Sequence, residues 1–164
     1  MPLRIHLESN NMAEQPTFDE ICDFFARYQA IFEQLDPQAI AAFWFEPTLA
    51  LETNQIRVCL NEQALLAAFK GAVGDLTAVG MCTASFALEE VRVLRDDLVD
   101  CVVHWQLRDA TGRLLKKLHN IYVLRRDEHS WGIAAVYLLP ANRPVTHLVQ
   151  QRLEAVTTTS SREV

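Results

Sequence analysis

Between Leu98 and Arg108 every odd position is apolar, Val99, Cys101, Val103, Trp105 and Leu107, while the even positions include Asp100, His104, Gln106 and Arg108. A period of two sustained this long describes a strand with one face buried and the other toward water, the pattern of antiparallel sheets. Asp109-Ala110-Thr111-Gly112 then reads as a hairpin turn. Leu114 to Arg126 and Trp131 to Leu139 supply two more strands, joined by the polar stretch Asp127-Glu128-His129-Ser130. Upstream, a strand begins near Met81; Phe86 and Leu88 share one parity and Val91 and Val93 the other, so Glu89-Glu90 marks a bulge, bend or break. Asp96-Asp97 makes the next turn.

Before Met81 the period is helical. Thr17 and Glu20 have capping-box spacing, and Phe18, Ile21, Phe25, Tyr28, Phe32 and Leu35 recur on one face, which predicts a helix from Phe18 to Gln34. Asp36-Pro37 caps a short second helix with Ile40, Phe43 and Trp44 on its apolar side, ended by Pro47. Thr48 to Glu52 and Gln55 to Leu60 are expected as short strands around Thr53-Asn54. Asn61 caps a third helix carrying Leu65, Leu66, Phe69 and Val73, with Gly71 and Gly74 closing it. Helices first and hairpin-linked strands afterward give an α+β fold with helices on one face of the sheet.

A chain of 164 residues fits one such domain, expected over 17–140, after an N-terminal extension (1–16) and before a C-terminal one (141–164). In the latter, Val145, Leu148, Val149, Leu153 and Val156 allow a short helix, and Thr157 to Val164 a frayed tail. Fifteen basic against twenty-one acidic residues, with no basic concentration, argue against a nucleic-acid partner. Met1 to Gln15 lacks the apolar run of a secretory signal, and no stretch is long enough to span a membrane. Cys22, Cys59, Cys82 and Cys101 lie far apart in apolar neighbourhoods, so they are expected as reduced core residues of a cytoplasmic protein. The histidines have no metal-ligand spacing, and there is no glycine-rich phosphate loop or GxSxG setting, so neither metal nor cofactor is expected.

Two segments carry a family resemblance. Tyr28 through Leu51, with its Leu35-Asp36 break, Ala41-Ala42-Phe43 and Glu46-Pro47, resembles the opening of the nuclear transport factor two-like superfamily. Asn120-Ile121-Tyr122-Val123-Leu124-Arg125-Arg126 with Trp131-Gly132-Ile133 resembles its last hairpin. The superfamily holds ketosteroid isomerases, SnoaL-like polyketide cyclases, scytalone dehydratase, limonene epoxide hydrolase and many uncharacterised bacterial proteins. The resemblance implies a cystatin-like α+β barrel, a curved antiparallel sheet wrapped as a cone around N-terminal helices, with a small-molecule pocket at its open end. It implies either a cofactor-independent isomerase, cyclase or hydrolase working by proton transfer on a small apolar molecule, or a non-catalytic ligand-binding or dimerisation module. Whether the chain is an enzyme stays open at this point, because fold does not set chemistry.

By the same resemblance Tyr28 stands where the isomerases hold an enolate-binding tyrosine, Glu52 where they hold a general-base aspartate, and Asn120 where they hold a protonated aspartate. Each has a plainer alternative. Tyr28 can be a helix-packing residue, Glu52 a solvated carboxylate turned away from the Leu49 and Leu51 face, and Asn120 a satisfied polar residue. Phe25, Phe43, Trp105, Tyr122 and Tyr137 are expected to line the pocket. Asp100 and His104, roughly 13 Å apart along a strand, are expected on the outer sheet surface. Apolar Leu98 and Val102 among them, expected exposed, suggest a homodimer through that face.

Overall fold

The computed structural model describes residues 15–140. The first helix, α1 (Phe18–Phe32), opens with a complete capping box: the Glu20 amide donates to Thr17 Oγ1 at 3.2 Å, and the Thr17 amide to Glu20 Oε2 at 3.4 Å. Its apolar stripe buries Ile21, Phe24, Phe25 and Tyr28. Leu35, at a φ of 54°, turns the chain into α2 (Pro37–Ala41), where Asp36 Oδ1 accepts from the Gln38 amide at 3.0 Å.

The second helix is shorter than its apolar spacing predicts. Phe43 lies beyond it, and its carbonyl accepts from the Ile133 amide at 2.8 Å, drawing the chain into strand β1 (Trp44–Leu51) before the proline. Pro47 therefore lies inside a strand after a cis peptide bond instead of ending a helix. Its missing N–H falls in a stretch where the β1 register shifts, between Trp44 and Leu49, and no ladder bond is forfeited. After β2 (Ile56–Cys59), Asn61 caps α3 (Glu62–Ala78) by accepting from the Ala64 amide at 2.9 Å. Gly71 and Gly74 do not close that helix. They cost it about 1 kcal/mol each, and the chain leaves only at Gly80, whose φ of +77° suits a glycine.

Four strands follow: β3 (Met81–Arg95), β4 (Leu98–Asp109), β5 (Leu114–Arg126) and β6 (Trp131–Leu139). The six form one curled sheet in the order β2-β1-β6-β5-β4-β3. Every pairing is antiparallel except β1 with β6, which run parallel. Glu89 sits at a bulge, since β3 pairs Leu88 with Val103 and Glu90 with Val102.

Helix α1 lies against the concave side of the sheet, where Val99, Cys101, Val103, Trp105 and Leu107 of β4 join Tyr122 and Leu124 of β5 in the main core. The odd face of β4 is thus buried as its alternation requires. Val102, on the opposite face, is buried too, contrary to the expectation of an exposed residue. Cys59 and Cys101 are buried, but Cys82 is exposed, because apolar neighbours in a sequence do not fix which side of a strand a residue occupies. Among the described residues no helix is long and apolar enough to cross a membrane.

Candidate ligand site

Aromatic rings fill the cone. Phe24 and Phe25 from α1 are fully buried, and Phe25 packs 5.3 Å from Tyr122 and 6.4 Å from Trp105 between ring centres. Tyr28 lies 5.4 Å from Phe43 and 6.1 Å from Trp105. What remains among Phe32, Trp105, Leu107, Leu118 and Tyr122 is a space of about 20 Å³, the size of one water. Of the residues expected as pocket walls, Trp105 and Tyr122 border that small space, while Phe25 packs on Tyr122 and Phe43 on Tyr28. Tyr137 is not in the cone at all: it pairs with Ile121, one step out of phase with the buried pair Tyr122 and Val136, and is exposed on the outer face.

A few polar atoms are threaded through this aromatic core. Trp44 Nε1 donates to the Tyr28 hydroxyl at 3.2 Å, and Asn120 Nδ2 donates to the Tyr122 hydroxyl at 3.0 Å. Burial pushes the Tyr28 phenol well above its ordinary range, reinforced by the nearby Tyr122 and opposed by the Trp44 donor. Burial raises Tyr122 to about 12, against the pull of Asn120 and the Trp105 N–H. Both are neutral phenols at physiological pH. The Trp105 N–H acts on Tyr122 as a near neighbour only: Nε1 is buried and makes no hydrogen bond of normal geometry.

The open space lies at the rim of the sheet. A cleft of about 500 Å³ is bounded by the β1–β2 turn with Glu52, by Lys116, Leu118 and Asn120 of β5, and by the end of β6 at Leu138. Glu52 faces it for a reason that the alternation of Leu49 and Leu51 concealed. Ala50 packs on the core and pairs with buried Val136, so Glu52, two residues on, has the concave parity, while Leu49 and Leu51 pair with Ala135 and Tyr137 on the outer face. Glu52 accepts from Gln55 Nε2 at 2.8 Å and is ion-paired with Arg57 at 3.2 Å. Asn120 is 4% exposed and spends one amide hydrogen on Tyr122, leaving a second donor and its carbonyl.

Of the three candidate catalytic residues, Glu52 and Asn120 share this cleft. Tyr28 lines neither space and is sealed within the aromatic core. Lys116 and Lys117, which the sequence did not single out, add positive charge at the cleft. Asp100 and His104 are on the outer face, as expected; Asp100 accepts from Arg92 Nε and Nη2, at 2.7 and 3.0 Å, and His104 is held by Glu89.

The sequence matches a family profile described as NTF2-like protein (DUF6841) over residues 19–141. Similar solved structures include a domain of unknown function with a cystatin-like fold from Nostoc punctiforme, 13% identical, TM-score 0.60, covering 90% of this chain and 100% of its own. An NTF-2 like protein of unknown function from Shewanella oneidensis is 16% identical, TM-score 0.61, covering 73% and 96%. A ketosteroid isomerase-like protein from Erwinia carotovora atroseptica is 14% identical, TM-score 0.55, covering 74% and 95%. Among curated proteins the sequence finds no match.

Proposed function

The chain belongs to the NTF2-like family DUF6841, and on that premise we propose that it binds a small organic molecule carrying a carbonyl or carboxylate group in the rim cleft. The observation that carries this reading is Asn120, buried in the cleft wall with a donor and an acceptor to spare, beside lysine ammonium groups. Such a lining suits a ligand with more polar character than the largely apolar one expected from the family resemblance. Binding without catalysis is favoured because Glu52 is engaged by Arg57 and Gln55 instead of standing in an apolar pocket, where a carboxylate becomes a base near neutral pH.

The test is a thermal-shift screen of small ketones and carboxylic acids, followed by calorimetry on the best binder. Asn120→Leu should weaken that binder about tenfold, near 1.4 kcal/mol, while Tyr28→Phe should leave the affinity unchanged. Equal affinity in Asn120→Leu would refute the cleft as the site.

A second reading, a proton-transfer isomerase, cyclase or hydrolase, is supported by Glu52 and Asn120 lining one cleft. Turnover of a carbonyl compound that disappears in Glu52→Gln would establish it. The outer face, with Tyr137 exposed and no described helix over it, supports a homodimer; sedimentation of a monomer near 18.6 kDa at micromolar concentration would refute that. A cytoplasmic setting belongs to the same proposal, in keeping with four unpaired cysteines.

A further inference from the structure

We propose that Glu89, His104 and His119 form a binding site for a divalent transition-metal ion, Zn²⁺ foremost, on the outer face of the sheet. The three residues come from three adjacent strands. His104 of β4 stands directly across from His119 of β5, and their rings stack with centres 4.2 Å apart. Glu89 belongs to the β3 bulge, and its carboxylate reaches His104 Nε2. A bulge of this kind re-aims a side chain that a regular ladder would leave in line. One ligand atom from each residue lies within 4.8 Å of the others. Ligands around a tetrahedral ion with bonds of 2.0–2.1 Å are about 3.3 Å apart. Rotation of the Glu89 side chain, which is 60% exposed, with a small tilt of the stacked His104 ring can make up the difference.

His119 is the independent observation. It is only 6% exposed, and neither of its ring nitrogens has a hydrogen-bond partner, although both are shut off from solvent. A buried polar atom without a partner costs roughly 1–3 kcal/mol, and native proteins seldom tolerate it without a purpose. A surface Glu–His ion pair accounts for Glu89 and His104 but leaves His119 unexplained. A metal ion uses all three groups: the buried imidazole gains a bond, and the carboxylate offsets part of the ion's charge. Two imidazoles and one carboxylate suit zinc and its neighbours in the first transition row, not magnesium or calcium, which take oxygen ligands. Three protein ligands leave further positions open to water on the exposed side.

The experiment titrates the untagged full chain, stripped with EDTA, with ZnCl₂ by calorimetry, and follows Tm with and without the metal. The expected result is saturable binding of one Zn²⁺ per chain and a rise in Tm. His104→Gln and Glu89→Gln change solvent-facing residues, and each should weaken binding by about tenfold or more. His129→Gln, in the β5–β6 turn away from the cluster, should leave it unchanged. His119→Gln should abolish binding if circular dichroism shows that it folds; the other two variants decide the matter if it does not. Absence of binding at ten times the protein concentration, or the same affinity in both His104→Gln and Glu89→Gln, would overturn the proposal.

Discussion

Replacing Trp105 by alanine tests whether the cone is packed solid. The indole is 3% exposed, with Phe25, Tyr28, Phe32 and Phe86 around it at ring-centre distances of 5.6–6.4 Å. Removing about 180 Å² of buried aromatic surface costs some 4.5 kcal/mol at roughly 25 cal/mol per Å². The cavity left behind adds to that cost. The unpartnered Nε1 works in the other direction, since deleting a buried orphan donor returns about 1–3 kcal/mol. The net expectation is a loss of about 3–5 kcal/mol. Trp105→Phe separates the two contributions, because it keeps a ring in place while deleting the orphan donor, and should cost no more than about 1.5 kcal/mol. Urea unfolding followed by far-ultraviolet circular dichroism measures both, with Trp44 and Trp131 fluorescence as a second probe. A loss below about 1 kcal/mol in Trp105→Ala, or equal losses in the two variants, would refute this account of the core.

Gly132→Ala would set a Cβ 2.6 Å from the Phe45 ring, over which Arg125 lies at 4.8 Å; the expected loss is about 1–3 kcal/mol, read as a lowered Tm, and no change would mean that the ring swings freely. Asp109 is held at about 2, below its usual 3.8, first by the Thr111 hydroxyl and then by Arg113 and backbone amides. Its contribution is therefore complete above pH 4 and lost as pH falls toward 2, so Asp109→Asn should flatten the acid limb of a Tm against pH curve, and an unaltered slope would count against it. Burial raises Cys101 and Tyr122 to about 12, from ordinary values of 9.0 and 10.0. The unfolded chain loses these protons first, so stability should fall as pH rises from 9 to 12, and Cys101→Ala should delay its onset.

Features set by neighbours along the chain were readable in advance. The capping box at Thr17 and Glu20, the Asn61 cap, the turn at Gly112 and the buried parity of β4 depend on residues a few positions apart. Features set by distant pairing were not. Leu49 and Leu51 look like a core face, yet partners on β6 place Ala50 inward and carry Glu52 to the cleft. Pro47 looks like a helix stop until β6 claims Phe43. Tyr28 is enclosed by packed aromatics while Asn120 reaches the rim cleft, a division that depends on the sheet and not on either residue's neighbours in sequence. Glu89, His104 and His119 are separated by fourteen residues or more, and only strand register brings them together. The expected C-terminal helix and the N-terminal extension up to Glu14 lie outside the described residues.

The parallel seam between β1 and β6 governs the order in which this molecule can assemble. Thr48 donates to the Ala134 carbonyl across 86 positions of sequence, whereas β3, β4, β5 and β6 are a meander of neighbours that can zip together by short turns. As the chain emerges from a ribosome, β1 and β2 have no sheet to join until the last strand is made, and their unpaired edges must wait through the synthesis of the whole meander. Closing so long a loop is entropically costly and slow, which makes β6 both the final piece of the meander and the latch that recruits the amino-terminal half.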